Sequence, residues 1–264
     1  MGEQSPTVSV IIPCYNEAKN LQRGVLDEVY AYMSQQTYPW EVIVANDGST
    51  DDSPALVRAF IAGKEGFSFA DLPHGGKPAA IQGGLERATG EVVLFTDMDQ
   101  STPIHELGNL LPWYEQGFDV VIGSRGMSRE GFSVLRQVGS LVFRALRSAF
   151  LLRGIRDTQC GFKLFKRELV SQLFPKLQVF REEAPSGWKV TAYDVELLYL
   201  FDRAGHAIKE VEVGWENRDE SDTKGHSSEL ARYARESISM AKQVLRVNVN
   251  RVRGLYDDIG PASQ

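Results

Sequence analysis

Two carboxylates stand two residues apart after a run of apolar residues. Asp97 and Asp99 directly follow residues 91–96, whose composition is typical of a buried strand. At the end of a strand both side chains can face one cavity, where two like charges are costly unless a cation neutralises them. Oxygen ligands of this kind suit Mg²⁺ or Mn²⁺, which also bind diphosphates. The pair therefore indicates a divalent metal site, and the alternative is that one carboxylate caps a helix beginning near residues 102–103.

Two further polar segments follow apolar runs of the same kind. Asn16 and Glu17 come after the first such run, and Asp47 lies in the turn that follows residues 41–45. Asp47 can bind a base or ribose edge, or it can belong to an Asx turn in which Asp51 caps the next helix. Asn16 and Glu17 can likewise mark no more than the start of a helix. All three segments are expected to converge on one edge of the sheet.

A glycine pair before Lys77 invites comparison with a phosphate-binding loop. A P-loop requires G-x-x-x-x-G-K-[ST], and here Pro78 follows the lysine, so no hydroxyl is available for a metal. The chain also lacks G-x-G-x-x-G, which argues against a dinucleotide-dependent oxidoreductase. Lys77 therefore either faces a ligand or lies in a solvated turn.

The elements that must position these residues alternate between strand and helix. Strands are expected at residues 8–12, 41–45, 67–70, 91–96, 119–123, 162–165 and 208–213, with helices ending near residue 32 and spanning 51–62, 78–88 and 194–204. Pro13 is expected to end the first strand. The alternation predicts an α/β fold with a mainly parallel central sheet flanked by helices. Ligands bind at the carboxyl ends of such strands, where the polar segments lie.

The composition is that of an ordinary globular protein, and it limits the classes of function. The chain has 264 residues, 42% of them hydrophobic and 24% charged, and its net charge of -6 argues against general nucleic-acid binding. Cys14 and Cys160 show no disulfide-framework spacing and are expected to be reduced thiols in a cytoplasmic protein. We expect neither a signal peptide nor a transmembrane helix, so a protein acting on membrane lipids would have to visit the membrane surface.

Several of these segments together resemble the inverting glycosyltransferases of family 2, which have the GT-A (nucleotide-diphospho-sugar transferase) fold. The matching segments are residues 8–17, 46–51, 76–77 and 97–99. Residues 123–125 (Gly-Ser-Arg) and 160–163 (Cys-Gly-Phe-Lys) narrow the resemblance to polyprenyl-phosphate sugar transferases, and residues 193–198 look most like the dolichyl-phosphate β-glucosyltransferase branch. The resemblance covers roughly residues 8–227, which implies a catalytic domain over residues 1–227 and a C-terminal helix and tail over residues 228–264.

The resemblance implies a role for each matching position. The donor would be bound by Pro13, Tyr15, Glu17, Asp47, Lys77, Asp97 and Met98. Mg²⁺ or Mn²⁺ would be bound by Asp97 and Asp99, with Asp99 the principal ligand. The acceptor phosphate would contact Arg125, Arg136 and Lys163. The catalytic residues would be Asp99, Arg125 and Asp194, the last of which lies where relatives acting on hydroxyl acceptors keep a general base. Asp194 is otherwise the N-cap of the helix that follows it.

The activity implied is transfer of a hexose, glucose by branch, from UDP-glucose to a polyprenyl or dolichyl phosphate. An ionised phosphate needs no strong base, whereas the alternative acceptor, a saccharide or small-molecule hydroxyl, needs a carboxylate such as Asp194. Implied partners are the nucleotide sugar, the lipid phosphate and the cytoplasmic face of a membrane, where the protein would be peripheral, with no nucleic acid. The sequence departs from the family at Asn46, where many relatives have Asp, at Pro78, where Gly is usual, and at Gln100.

A helix with one apolar stripe is expected over residues 229–253. The stripe comprises Leu230, Tyr233, Ala234, Ile238, Ala241, Leu245, Val249 and Val252. The basic residues of this segment are Arg232, Arg235, Lys242, Arg246, Arg251 and Arg253, and its acidic residues are Glu229 and Glu236. A positive segment in an acidic chain is what a helix lying on anionic lipids requires. The alternative is that the stripe packs on the catalytic domain.

Overall fold

The computed structural model describes residues 7–126, 152, 154–180, 193–220, 242 and 244–260. Within these residues seven strands form one sheet in the order β3-β2-β1-β4-β6-β5-β7. The strands are β1 (Val8–Cys14), β2 (Trp40–Asp47), β3 (Phe67–Leu72), β4 (Val92–Phe95), β5 (Val120–Ser124), β6 (Lys163–Lys166) and β7 (Ile208–Glu212). The α-helices are α1 (Ala18–Gln22), α2 (Val25–Met33), α3 (Ser53–Ile61), α4 (Lys77–Leu85), α5 (Leu107–Glu115), α6 (Arg167–Leu173) and α7 (Tyr193–Arg203). Short 3-10 turns span Ile104–Glu106, Phe174–Lys176 and Gln178–Phe180, and residues 244–252 form a C-terminal helix.

The sheet is mainly parallel, which confirms the predicted fold class. Four pairs of neighbouring strands are parallel: β1 with β2, β1 with β4, β2 with β3, and β5 with β7. Among the described strands, β6 alone is antiparallel to its neighbours, which are β4 and β5. The carboxyl ends of β1, β2 and β4 therefore lie at the same edge of the sheet, and the chain segments that follow them meet there.

The first two strands run further than predicted, and Pro13 does not end β1. The amide of Thr96 donates to the carbonyl of Ile11 (3.2 Å), so alternate residues of β1, Pro13 among them, face β4. The pairing of β1 with β4 ends at Ile11 opposite Phe95. Since the missing N–H of Pro13 lies beyond that point, it costs no hydrogen bond of the sheet, and β1 continues beside β2 to Cys14.

The helix predicted after β1 is divided in two at Gly24. This residue has φ 89°, a left-handed conformation that most L-residues avoid, and it stands at the N-terminus of α2. The break lets α1 stay beside the end of β1 while α2 packs Val25, Val29 and Met33 beneath the sheet. The short α1 therefore belongs to the edge of the sheet where the polar segments meet.

Both faces of the sheet are covered, which explains the continuous apolar runs of the strands. One face carries Ile11, Ile43 and Phe95, packed with residues of α4, α7 and the C-terminal helix. The other face carries the alternate strand residues, such as Ile12 and Val44, packed with residues of α2, α3 and α5. Cys14 and Cys160 are buried and free, as expected for thiols that form no disulfide.

The C-terminal helix packs on α7 with a face other than the predicted stripe. Val244 and Val247 are buried in the core, whereas Leu245, Val249 and Val252 of the stripe are 63%, 38% and 81% exposed. The alternative that the stripe packs on the catalytic domain is therefore wrong for these three residues. The stripe residues between 230 and 241 lie outside the described residues, and the division of the chain at residue 228 stays a prediction. No described helix combines the length and apolarity needed to cross a bilayer.

Candidate active site

Hydrogen bonds connect the segments that follow β1 and β2, as expected from their position at one edge of the sheet. Ser49 Oγ accepts a hydrogen bond from the amide of Asn16 (3.0 Å), and Ser53 Oγ accepts one from the amide of Glu17 (2.8 Å). In return, Asn16 Oδ1 accepts from the amide of Thr50 (2.9 Å). These bonds fix the backbone around Glu17, so its carboxyl group is held in a defined position at this edge.

Asp47 is fully buried, and its carboxylate is used within the protein. Its Oδ1 accepts from the amides of Gly75 (2.8 Å) and Gly76 (3.1 Å), and its Oδ2 lies 3.0 Å from Nδ1 of His74. Both oxygens therefore already have partners within the protein, and the contact of Asp47 with the base or ribose of a donor stays a prediction. Asp47 anchors the loop that leads into Lys77. The Asx turn belongs to its neighbour Asn46, whose Oδ1 accepts from the amide of residue 49 (3.2 Å).

The loop that contains Gly75 and Gly76 brings Lys77 next to Asp97. Nζ of Lys77 forms an ion pair with Oδ1 of Asp97, so Lys77 does not lie in a solvated turn. Burial acts to raise the pKa of Asp97, but the charge of Lys77, helped by Lys163 and Arg125, outweighs it and lowers the pKa. Asp97 is therefore ionised at neutral pH, and its charge is balanced by the protein.

Asp99 has no cationic partner among the described residues. Its Oδ1 accepts from the amide of Ser101 (2.8 Å), and the Arg23 guanidinium donates to its backbone carbonyl (2.8 Å) instead of its carboxylate. Burial and the charge of Asp97 raise the pKa of Asp99. The 3-10 turn that follows begins after Pro103 without a side-chain cap, so neither carboxylate serves as a helix cap there. Asp99 is thus the carboxylate that a cation would stabilise most.

Glu17 and Asp219 bring two more carboxyl groups to the same corner of the site. Asn20 Nδ2 donates to Oε2 of Glu17 (2.6 Å) and to Oδ1 of Asp219 (3.3 Å). Burial raises the pKa of Glu17 to about 7, against the effect of the Asn20 hydrogen bond and with help from the charges of Asp219 and Asp99. At neutral pH Glu17 is therefore present in both protonation states, and its protonated form can donate a hydrogen bond.

The carboxylate oxygens of this site suit a hard divalent cation that also binds oxygens of a ligand. Asp97 and Asp99 offer carboxylate oxygens, which Mg²⁺ and Mn²⁺ prefer. No group of three or more His, Cys, Asp or Glu side chains suited to a metal ion occurs among the described residues. Such a cation would therefore complete its coordination with oxygens from water or a bound diphosphate, as Mg²⁺ commonly does.

A cavity opens beside the carboxylate pair. Its walls are formed by Thr96, Asp97, Asp99, Ser101, Thr102, Arg125, Gln159, Gly161, Phe162, Trp215 and Asn217. Arg125 donates from Nε (2.7 Å) and Nη2 (2.9 Å) to the two oxygens of Asp157, and its guanidinium carbon lies 5.7 Å from the centroid of the Trp215 ring. Arg125 is therefore held by a bidentate ion pair while it also forms part of the cavity wall.

Lys163 and Asp194 pair with each other and do not line this cavity. Nζ of Lys163, a residue only 1% exposed, lies 2.8 Å from Oδ1 of Asp194 and also donates to the carbonyl of Cys160. This burial argues against the predicted contact of Lys163 with an acceptor phosphate, which stays a prediction. Because α7 begins at Tyr193, Asp194 is inside the helix and is not its N-cap. A carboxylate committed to a buried ion pair is also poorly suited to act as a general base.

The remaining predicted residues take different positions. Met98 is 2% exposed within the apolar core, which argues against the predicted contact of its side chain with a donor. Pro13 is buried inside β1, and Tyr15 stacks on His74 with ring centroids 4.5 Å apart. Arg136 lies outside the described residues, and its predicted contact with the acceptor phosphate stays a prediction.

Sequence reasoning missed the extended segment after β7. Trp215 and Asn217 line the cavity, and Asp219 reaches the corner occupied by Glu17. Ser101, which follows the carboxylate pair in the chain, holds this segment in place. Its hydroxyl accepts a hydrogen bond from the amide of Arg218 (3.2 Å). The only signal in the sequence is a period of two, in which residues 215, 217 and 219 share one side of an extended chain.

Gly161 lies so close to Asp97 that no side chain fits between them. A Cβ on Gly161 would overlap Oδ2 of Asp97, whereas one on Gly260 would meet nothing within 4 Å. We expect Gly161→Ala to push Asp97 away from Lys77 and to lower kcat/KM about 5- to 150-fold, the equivalent of the roughly 1–3 kcal/mol that overpacking costs. Kinetics and thermal unfolding of Gly161→Ala and the control Gly260→Ala would test this. Equal kcat/KM values for the two variants would contradict it.

Known proteins resemble this chain in sequence and in fold. The model of glycosyl transferase family 2 matches residues 9–174. A dolichyl-phosphate beta-glucosyltransferase of Trichomonas vaginalis is 33% identical over 232 residues, which cover 82% of this chain and 68% of the relative. The protein of that name from Homo sapiens is 34% identical over 232 residues, covering 80% and 68%. Among solved structures, glucosyl-3-phosphoglycerate synthase of Mycobacterium tuberculosis, in complex with Mn²⁺, uridine-diphosphate and glucosyl-3-phosphoglycerate, has a TM-score of 0.62 at 24% identity over 92% of this chain and 80% of that one.

The fold is that of the GT-A glycosyltransferases. The chain belongs to glycosyl transferase family 2 and is a hexosyltransferase similar to the dolichyl-phosphate beta-glucosyltransferases. The family resemblance predicted from the sequence is thereby confirmed. The roles of the individual site residues stay predictions, which the geometry above supports for some residues and opposes for others.

Proposed function

We propose that this protein transfers glucose, with inversion, from UDP-glucose to dolichyl phosphate or another polyprenyl phosphate. The observation that carries the proposal is one cavity lined both by Asp99, a carboxylate without a cationic partner among the described residues, and by Arg125, an arginine held in one orientation. The first suits a cation with a diphosphate, and the second suits an acceptor phosphate. The names of the relatives support this acceptor and sugar, and the complex of the Mycobacterium tuberculosis synthase supports a uridine nucleotide.

On the donor side, Asp99 would bind Mg²⁺ or Mn²⁺ together with the diphosphate of the nucleotide sugar. The cation would act as a Lewis acid that offsets the negative charge of the leaving diphosphate. Asp97, kept ionised by Lys77, would orient the donor or share the cation. Glu17 in its protonated form would donate a hydrogen bond to the nucleoside.

On the acceptor side, the phosphate is the better candidate nucleophile. It is ionised at neutral pH and needs no general base, whereas a hydroxyl acceptor would require one. Asp194, the predicted base, is bound to Lys163 in a buried ion pair, which argues against the hydroxyl alternative. Arg125 would position the phosphate through the N–H groups that do not face Asp157, and Trp215 would lie beside it.

A lipid acceptor requires the cavity to reach a membrane surface. We therefore propose that the protein works as a peripheral protein at the cytoplasmic face of a membrane. This location accords with an acceptor whose polyprenyl chain lies in the bilayer while its phosphate meets the enzyme in water.

Radiolabelled nucleotide sugars would test this function. The purified protein is incubated with polyprenyl phosphate, Mn²⁺ and, in separate reactions, labelled UDP-glucose, UDP-N-acetylglucosamine and GDP-mannose. We expect label to enter the organic phase from UDP-glucose and to stay in the aqueous phase when EDTA is added. Transfer from another donor would overturn the choice of sugar nucleotide, and transfer that survives EDTA would overturn the role of the cation.

A further inference from the structure

The C-terminal helix (residues 244–252) is apolar on two opposite faces. Val244 and Val247 are buried, at 4% and 0% exposure, and they pack in the core. Leu245, Val249 and Val252 follow one another at steps of four and three, so they share one side of the helix. We call these three residues the outer face, and their exposure of 63%, 38% and 81% shows that the described part of the chain leaves it uncovered.

Contacts on the inner side hold the helix in this orientation. The hydroxyl of Tyr256 donates to Oε1 of the fully buried Glu196 (2.9 Å), and Nη2 of Arg246 lies 3.4 Å from Oε2 of the same residue. Just beyond the helix, Arg203 Nε donates to the carbonyls of Tyr256 (2.8 Å) and Ile259 (2.9 Å). Turning the outer face inward would break these bonds and expose Val247, so the outer face stays directed away from the protein.

The surroundings of the outer face carry positive charge, although the chain has a net charge of -6. Lys242, Arg251 and Arg253 are exposed, and residues 242–253 contain no aspartate or glutamate. The nearest carboxylates in sequence, those of residues 257 and 258, pair with Arg203 (2.8 Å) and Lys176 (3.4 Å). An apolar strip beside exposed basic residues is complementary to an anionic lipid surface, where acyl chains lie beneath charged headgroups.

We propose that the outer face docks this protein on an anionic bilayer, with Leu245, Val249 and Val252 inserted below the headgroups. The choice of a bilayer over a protein partner rests on the proposed function, because a lipid acceptor brings the enzyme to that surface. A second copy of the chain is a poorer occupant, since three side chains provide far less area than the roughly 1,200–2,000 Å² of a stable protein interface. The basic residues would add an attraction that weakens as salt is raised.

Vesicle sedimentation with the full chain tests the proposal. Wild type is compared with the triple variant Leu245→Gln, Val249→Thr, Val252→Thr on vesicles of phosphatidylglycerol and phosphatidylcholine, and on phosphatidylcholine alone. We expect wild type to bind the anionic vesicles and to release them as NaCl is raised, and the triple variant to bind them about tenfold or more weakly. Failure of wild type to bind, or equal binding of the two proteins, would overturn the proposal.

A matched control changes the same positions without making them polar. The variant Leu245→Met, Val249→Ile, Val252→Leu should bind like wild type, and the melting temperature of all three proteins should agree, because exposed positions contribute little to stability. A large fall in melting temperature, or loss of a dimer on gel filtration, would show that protein covers the outer face, and it would overturn the proposal. Glucosyl transfer to a short-chain, water-soluble polyprenyl phosphate should be equal in wild type and the triple variant. If no transfer occurs in either, the proposed function fails while the vesicle result stands separately.

Discussion

Asp99→Asn is expected to lower kcat by a factor on the order of 10³, the equivalent of about 4 kcal/mol, while the protein remains folded. Asp99 is the carboxylate of the pair that no described residue neutralises, because Lys77 pairs with Asp97. Burial and Asp97 raise the pKa of Asp99, so removing its charge relieves repulsion in the absence of metal. The melting temperature in EDTA should therefore stay level or rise.

The measurement compares turnover across a Mn²⁺ titration for wild type, Asp99→Asn and Asp52→Asn. Asp52 is an exposed carboxylate that makes no side-chain cap hydrogen bond at the start of α3, so it provides a matched change of charge. Asp52→Asn should behave as wild type. Near-normal turnover of Asp99→Asn at limiting Mn²⁺ would refute the assignment of Asp99 as the principal metal ligand.

Arg125→Ala is expected to have two separable effects. It leaves Asp157, whose side chain is only 13% exposed, without its bidentate partner, which should cost about 3–5 kcal/mol of unfolding free energy. It also removes a cavity-wall cation, which should raise KM for lipid phosphate roughly 10- to 150-fold, the equivalent of 1.5–3 kcal/mol, with little change in KM for the nucleotide sugar. Both KM values and the melting temperature are measured on the same preparations.

The double variant Arg125→Ala, Asp157→Asn separates a structural arginine from one that binds substrate. Arg125 holds the pKa of the Asp157 carboxyl well below its ordinary value against the effect of burial, so Asp157 is charged in the native protein. Replacing both partners removes the unpaired charge and should restore much of the stability. The raised KM for lipid phosphate should persist. Recovery of that KM along with stability would mean that Arg125 acts only by holding the loop around Asp157.

The sheet and its functional edge follow from local patterns in the sequence. Each predicted strand is observed within a few residues of its expected bounds, because strands buried on both faces are continuous apolar runs. The placement of Asp97 and Asp99 followed from their position after such a run. The prediction that Pro13 ends β1 was wrong. Whether a proline ends a strand depends on which neighbouring strand its missing N–H would face, and the pairing of the strands decides this.

The partners of the site residues could not be predicted in this way. Asp47 looked free to bind a ligand, but both of its oxygens are used by a loop nearly thirty residues away. Arg125 and Lys163 both resembled phosphate contacts, yet only Arg125 lines the cavity, since Lys163 is buried against Asp194. Trp215 reaches the cavity from after the last strand, and no local pattern connects it with the carboxylate pair.

The proposal that a lipid phosphate accepts the glucose is tested most directly by comparing acceptors of different chemistry. The purified protein is given labelled UDP-glucose, Mn²⁺ and one of three acceptors: a polyprenyl phosphate, the corresponding polyprenol, or a soluble saccharide. We expect labelled lipid from the phosphate alone, with the glucose released by mild acid as expected of a sugar held through a phosphodiester. Labelled product from the polyprenol or the saccharide, with none from the phosphate, would contradict it.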